Sequence, residues 1–470
     1  MKNIILKFCA GSMLLSGCNM NQSSVQQKPN IIFIITDDQE IGLLGIEGHP
    51  VVQTPNIDRI GNEGVLFKNF FVVTPLSSPS RASFLTGQYA HSHRVINNDK
   101  ASIDVISHTL MTWPRQLRES GYETAFIGKW HMGLDDSRRP GFDRWFSFKG
   151  QGIYIDGVVN DDGLQHQITG YMTDFLNEQA VAFVNKDHHK KPFAMILSHK
   201  AIHVPILPAK EYDSLYSDYV FETMPPGEED IKGKPVMTRP VAPVDWNSLE
   251  GIAPEPAEPR RGRGMDHSSI LRDQLRCLAS VDDGVGQLFA ALEKTGQLDN
   301  TVIIYTSDNG MLMGEHGQFD VKRWAYDPAL RVPLLIRYPP VIAERSVREQ
   351  MVLNIDIAPT ILELAGVQPI VPVQGLSFVS LLHNADASWR KAFLAEYFLE
   401  KVAPRVPSWK AVRTEQWKYI QYSGETDGLD ELYNLQTDPD EEHNLISEPA
   451  VKSNLDALQK QLNDLQKDTR

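Results

Sequence analysis

Four uninterrupted apolar runs constrain the fold of this chain more than any other feature, and three of them close on polar clusters. "NIIFIITDDQ" begins at Asn30, "FAMILSHKAIH" at Phe193, "TVIIYTSDNG" at Thr301 and "VPLLIRYP" at Val332. A run without polar alternation reads as a strand buried on both faces, the pattern found at the centre of an α/β sheet. Helical patterns stand between the runs. Thr54-Pro55 gives an N-cap with proline at the first helical position, "TLMTWPRQLRESG" ends at Gly121, and a long periodic stretch runs from Asp266 to Gly296. Alternating strand and helix predicts an α/β domain with a large, mixed but mainly parallel sheet flanked by helices. Ligands bind such sheets beyond the carboxyl ends of the strands, where the polar clusters lie.

A chain of 470 residues that is 41% hydrophobic has room for one large domain and a smaller one, and this excludes disordered and fibrous classes. "NIDIAPTILELAG" from Asn354 closes the large domain with a helix, so that domain is expected over 29–367. Beyond it, "KAFLAEYF", "WKAVRTEQWKYIQYS" and "ELYNLQTDPDEEHNL" alternate short strands with turns. Leu455, Leu458, Leu462 and Leu465 then mark an amphipathic helix. Residues 368–470 are therefore expected to form an antiparallel sheet plus helix. The stretch from Thr223 to Arg263 is too rich in proline, glycine and charge for a core and reads as an insertion loop, either a substrate lid or a plain surface loop.

The N-terminus reads as an export signal. Lys2 precedes and Lys7 interrupts the apolar run Ile4 to Leu15, which is too short for a membrane span. Leu15-Ser16-Gly17-Cys18 resembles a bacterial lipobox, which implies a signal peptide over 1–18, lipid on Cys18 and a linker over 19–28; an ordinary secretory signal is the alternative. The expected location is a lipid anchor in the bacterial outer membrane, facing the periplasm or the cell surface. With Cys9 removed and Cys18 lipidated, Cys277 stands alone, so no disulfide framework and no cysteine metal site are expected. The net charge of -14 argues against nucleic acid as a partner but leaves room for a local basic pocket.

Asp37 and Asp38 end one strand, and Asp308 and Asn309 end another. Oxygen donors gathered from strand ends suit a hard divalent cation, Ca²⁺ first and Mg²⁺ as the competitor, although Asp-Asn-Gly is also a common turn. Between them in sequence lies "TPLSSPSRASFLTGQYAHSHRV", residues 74 to 95. Pro79 is tolerated in a first helical turn, so "PSRASFLTG" is predicted to start a helix at Pro79 and end it at Gly87. Ser77 then sits at its mouth, where free N–H groups and the dipole favour an anion, and Arg81 lies about one turn in.

Ser77-Ser78-Pro79-Ser80-Arg81 with Thr86-Gly87 downstream resembles the signature of type I sulfatases, within the alkaline phosphatase superfamily. The likeness runs from about Pro29 through the C-terminal sheet and includes "TDDQ", "GKWHMG", "HKAIHVP", "TSDNG", "GEHGQFDVKRWAYDPALRVP" and the ending "ELYNLQTDPDEEHNL". It implies an alkaline phosphatase-like fold and conversion of Ser77 to formylglycine (3-oxoalanine) by a radical maturating enzyme. The hydrated aldehyde of that family takes up sulfate through one hydroxyl and expels it through the second. By the same resemblance Asp37, Asp38, Asp308 and Asn309 match calcium ligands, with residue 77 completing the shell. Arg81 matches the arginine that holds the formylglycine, and Lys129 and Lys322 match lysines on sulfate. His131 matches the histidine beside the diol, and His203 the general acid at the leaving oxygen. Ile202 stands where the family often has proline, which makes His199 a rival to His203.

Arg323 and Trp324 beside Lys322 are candidates for sugar contact, since tryptophan offers a stacking face and arginine a fork. His91 and His93, with Arg94, Asn97, Asn98 and Asp99, either face substrate or form a solvated loop. The expected activity is sulfate ester hydrolysis on an algal polysaccharide such as ulvan, or on a glycosaminoglycan or mucin glycan. A phosphate mono- or diester hydrolase and a non-catalytic glycan-binding lipoprotein are the alternatives.

Overall fold

A computed structural model describes residues 28–98, 100–221, 231–242, 266–342 and 345–469. The expected lipobox, Cys18 and Asp99 lie outside the described residues, as does most of the expected insertion loop.

The apolar runs pair as the centre of one ten-stranded sheet. Asn30–Thr36 lies between Phe193–Ser198 and Thr301–Ser307, parallel to both, and Glu123–Lys129 extends the parallel array on the far side of Phe193–Ser198. Leu334–Arg337 joins antiparallel to Thr301–Ser307, so the sheet is mixed towards that edge. The first strand shows why no alternation appears in the sequence. Ile31, Phe33 and Ile35 enter the apolar cluster on one face, while Ile32 and Ile34 enter that on the other.

Helices cover both faces. Pro55–Asn62, Met172–Asn185 and the long helix His267–Lys294 pack on one side. Ser77–Thr86, Trp113–Glu119 and Ile357–Leu364 pack on the other. The Asp266 carboxylate accepts a hydrogen bond from Ser269 N and starts the long helix. The helix carrying the Ser-x-Pro-x-Arg motif begins at Ser77 itself, two residues before the proline, and Gly87 ends it in the left-handed conformation at φ 70°.

The C-terminal strands Ala392–Tyr397, Trp409–Thr414, Trp417–Tyr422 and Glu431–Asn434 form an antiparallel meander. The last helix, Lys452–Asp468, buries Leu455, Leu458 and Leu462 against it. This subdomain shares an apolar cluster with the large sheet, and the Phe71 and Phe393 rings stand 5.0 Å apart. The described part of the insertion, 231–242, is fastened to the same subdomain: Lys234 Nζ donates to Tyr433 Oη at 3.1 Å and Arg239 donates to the Pro404 and Arg405 carbonyls.

Candidate active site

Register places the first elements of the site. Thr36 is opposite Ser307 in the parallel pair, so Asp37 and Asp308, the next residues of their strands, emerge side by side. Asp308 N donates to the Thr36 carbonyl at 3.1 Å, and Asp38 N donates to Asp308 Oδ1 at 3.1 Å. Asp38 adopts a left-handed φ of 65°, tolerable for aspartate, and Asn309 Nδ2 donates to its Oδ1 at 2.6 Å. Lys129 comes to the same edge through Gly128, which pairs with Ser198. A Cβ on Gly128 would lie 1.8 Å from the Ser198 carbonyl oxygen, so this close approach requires glycine.

The Ser77–Thr86 helix aims its first turn at these carboxylates. Ser77 is fully buried, with Oγ 3.4 Å from Asn309 Oδ1 and 2.9 Å from Lys322 Nζ. Ser78 faces away: its Oγ donates to the His131 carbonyl at 2.5 Å. Arg81 donates from Nε to Asp308 Oδ2 at 2.9 Å, and from Nη1 to the Lys129 carbonyl at 2.9 Å and Ser198 Oγ at 2.7 Å. Lys129 Nζ pairs with Asp37 and also donates to Gln151, while Lys322 Nζ pairs with Asp38.

His203 Nε2 lies 3.6 Å from Asp38 Oδ2, and its Nδ1 bonds the Val204 carbonyl. Its rival His199 is fully buried beneath, and neither ring nitrogen has a partner. His131 is also buried, with φ 53° and Nδ1 unpartnered. Asp37, Asp38, Ser77, Asp308 and Asn309 thus converge from three chain segments, with Arg81, Lys129, His131, His203 and Lys322 around them.

Burial alone would raise Asp37, but Lys129, His203, Arg81 and Lys322 hold it well below the usual carboxylate range. Asp308 moves the other way, to about 6, through burial and the charge of Asp37. His203 is pushed well below its ordinary value by burial and by Lys129. Asp37 Oδ1 and Asp38 Oδ2 are buried with no hydrogen-bond partner, and ligand atoms of Asp37, Asp38 and His203 lie within 4.8 Å of one another. Orphaned carboxylate oxygens amid hard oxygen donors fit a divalent cation such as Ca²⁺.

The residues expected to meet substrate fare differently. Trp324 is 1% exposed inside the apolar core, so it offers a sugar no stacking face; its role is packing. His91 engages both ring nitrogens, Nδ1 with Glu396 at 2.8 Å and Nε2 with the Thr469 carbonyl at 2.9 Å, and so fastens the C-terminal helix rather than facing a ligand. His93 is buried against Ser83 Oγ. Arg323 stays partly exposed, with Nε donating to Glu400 at 2.6 Å. Gln151 and Ser198 escaped the sequence reading. Ser198 carries a signal, as the polar end of an apolar run, whereas Gln151 lies in a loop with none.

A family model described as sulfatase matches residues 29–367, and one described as N-sulphoglucosamine sulphohydrolase, C-terminal, matches 314–468. The chain is 32% identical to an N-acetylglucosamine-6-O-sulfatase of Bacteroides thetaiotaomicron, over 97% of this chain and 89% of the relative. It is 26% identical to an ulvan-active sulfatase of Formosa agariphila, over 96% and 84%. A solved structure in complex with its substrate D-glucosamine-2-N,6-O-disulfate superposes with a TM-score of 0.81 at 31% identity, covering 94% of this chain and 98% of that one.

Proposed function

The chain belongs to the sulfatase family and is a sulfuric ester hydrolase, and from that premise we propose that it desulfates hexosamine 6-sulfate in a glycan, with residue 77 matured to formylglycine and Ca²⁺ as cofactor. The observation that carries the reading is the meeting at Ser77 Oγ of Lys322 Nζ, at 2.9 Å, and Asn309 Oδ1, at 3.4 Å, beside two carboxylates with orphaned oxygens. The name of the 32% identical relative and the bound sugar of the 31% identical structure support the hexosamine. The ulvan-active relative, at 26%, supports an algal polysaccharide less strongly.

Asp37, Asp38, Asp308 and Asn309 would hold the cation, whose charge, with the hydrated aldehyde as nucleophile, supplies the chemistry of sulfate transfer. The remaining work falls to the chain. Lys322 and Lys129 hold the sulfate oxygens by charge-assisted hydrogen bonds. Arg81, bound on both edges of its fork, fixes Asp308 and the motif helix. His203, whose Nδ1–H is held by the Val204 carbonyl, turns Nε2 inward beside Asp38. Burial and Lys129 keep it neutral in the free chain, so Nε2 would take up its proton as the anionic sulfate binds and then pass it to the leaving sugar oxygen.

The proposal extends to a maturating radical enzyme as partner and to export as a lipoprotein. Palmitate labelling of wild type, and its loss in Cys18→Ala, would support the anchor; labelling of neither would oppose it. Sulfate release from defined oligosaccharides by matured, calcium-loaded protein tests the activity. Release from 6-sulfated glucosamine with little from ulvan fragments is expected, and release from ulvan alone would overturn the hexosamine assignment. Phosphate release with an unmodified Ser77 would point to an ester hydrolase of the other class. Glycan binding without release would point to a binding lipoprotein.

A further inference from the structure

We infer that Glu400 is a positioning residue for catalysis: one buried carboxylate of the C-terminal subdomain sets the place of both the Ser77 helix and the Lys322 loop. The inference rests on the reading of Ser77 and Lys322 as reacting and sulfate-holding groups.

Glu400 is 4% exposed, and its two oxygens serve different walls of the site. Oε1 accepts from Asn98 N at 2.9 Å. The Asn98 side chain in turn accepts from Ser78 N at 3.1 Å, one of the first-turn N–H groups that no carbonyl of its own helix can take. Oε2 accepts from Arg323 Nε at 2.6 Å and from Tyr397 Oη at 3.2 Å. Arg323 is the residue after Lys322, so each arm ends one residue away from a group at the reacting centre.

The Lys322 arm shows why such bracing is needed. Arg323 has φ 85°, a conformation that a residue with a side chain keeps only when its surroundings impose it. Three contacts impose it here. Arg323 N donates to the Pro75 carbonyl at 3.1 Å, Trp409 Nε1 donates to the Arg323 carbonyl at 2.8 Å, and Glu400 holds the guanidinium. Pro75 precedes Ser77 by two residues, so the loop is braced at once against the nucleophile segment and the C-terminal sheet. A path of contacts therefore closes on itself: Ser77, Ser78, Asn98, Glu400, Arg323, Lys322 and back to Ser77 Oγ. Only a carboxylate serves both arms, because each of its oxygens accepts. An amide has one acceptor and would turn an N–H toward either the Asn98 N–H or the Arg323 N–H.

The test uses full-length, matured, calcium-loaded protein and a 6-sulfated glucosamine oligosaccharide. The kcat and KM are measured for wild type, Glu400→Gln, Asn98→Ala and the double variant, each with its Tm and the aldehyde fraction at residue 77. Displacement of a reacting group by an ångström costs up to about a hundredfold, so kcat is expected to fall roughly tenfold or more in each single variant. KM should stay within about threefold, with aldehyde fraction and Tm near wild type. The double variant should be no slower than Glu400→Gln, because the Asn98 arm runs through Glu400.

A folded Glu400→Gln with wild-type kcat overturns the inference, as does a double variant whose losses multiply or a loss of kcat that merely tracks Tm. Should Glu400→Gln fail to fold, Asn98→Ala and Arg323→Lys decide, and unchanged kcat in both overturns it. A wild type that releases no sulfate sinks the functional reading and this inference together, whereas an active wild type with an unaffected Glu400→Gln sinks this inference alone.

Discussion

Lys322 Nζ and Ser77 Oγ lie 2.9 Å apart although 245 residues separate them in the chain. The same ammonium pairs with Asp38, so it joins the motif helix to the turn that ends the first strand. Lys322 is buried, which works against its charge, but Asp38, Asp308 and Asp37 more than offset this and raise its pKa. It therefore stays a cation wherever the sulfatase works.

Removing that cation should be costly mainly in the chemical step. Lys322→Ala is expected to lower kcat by about 10²–10³, the usual cost of losing one preorganised group that stabilises developing charge. Steady-state kinetics of variant and wild type, at equal aldehyde content, measure it. A change confined to KM would assign Lys322 to substrate binding alone.

Chelation should abolish sulfate release and lower Tm, and added Ca²⁺ should restore both. A ligand that binds only the folded state, present at a hundred times its dissociation constant, stabilises by about 2.7 kcal/mol. Scanning calorimetry with and without Ca²⁺ reads this directly. Asp38→Asn should erase the calcium-dependent rise, since Asp38 Oδ2 is one of the orphaned oxygens.

Trp324 separates a packing role from a sugar-binding one. At 1% exposure in the core, Trp324→Ala should cost about 3–5 kcal/mol of stability by urea titration. Trp324→Phe should keep KM within about threefold. A large rise in KM at unchanged stability would restore the stacking role.

Acid should weaken the fold through buried histidine. Burial, with a smaller push from His91, lowers His93 from 6.5 to about 3, so the folded chain keeps it neutral where the unfolded chain takes a proton. Its contribution is complete above pH 6.5, declines as the pH falls, and is spent near pH 3. Between pH 6.5 and 5 the loss is about 2 kcal/mol. His316, also lowered to about 3 by burial, adds in the same sense. Urea midpoints of wild type and His93→Gln across this range should show a shallower decline in the variant.

The central strands and the acids at their ends are legible because both are local signals. An apolar run buried on two faces carries no alternation, and its first polar residues mark the strand end, so Asp37 and Asp308 stand out together in the sequence whatever the register of their strands. Pro79 and Gly87 make the motif helix legible, although it starts at Ser77, two residues before the proline, so Ser77 lies within the first turn. What escaped depends on burial and on distant partners. Nothing local distinguishes Trp324 as a core residue from a surface platform, or marks His91 as a clasp for Thr469 378 residues away. Glu400 lies in a turn-rich segment with no pattern at all, and its place follows only from how the C-terminal sheet packs.

The most direct measurement is the mass of the peptide spanning Ser77, taken from enzyme whose desulfating activity has been recorded on the same preparation. A formylglycine nucleophile predicts a residue two hydrogens lighter than serine, in a fraction that scales with specific activity across preparations. Full activity from protein carrying only intact serine at that position would contradict it.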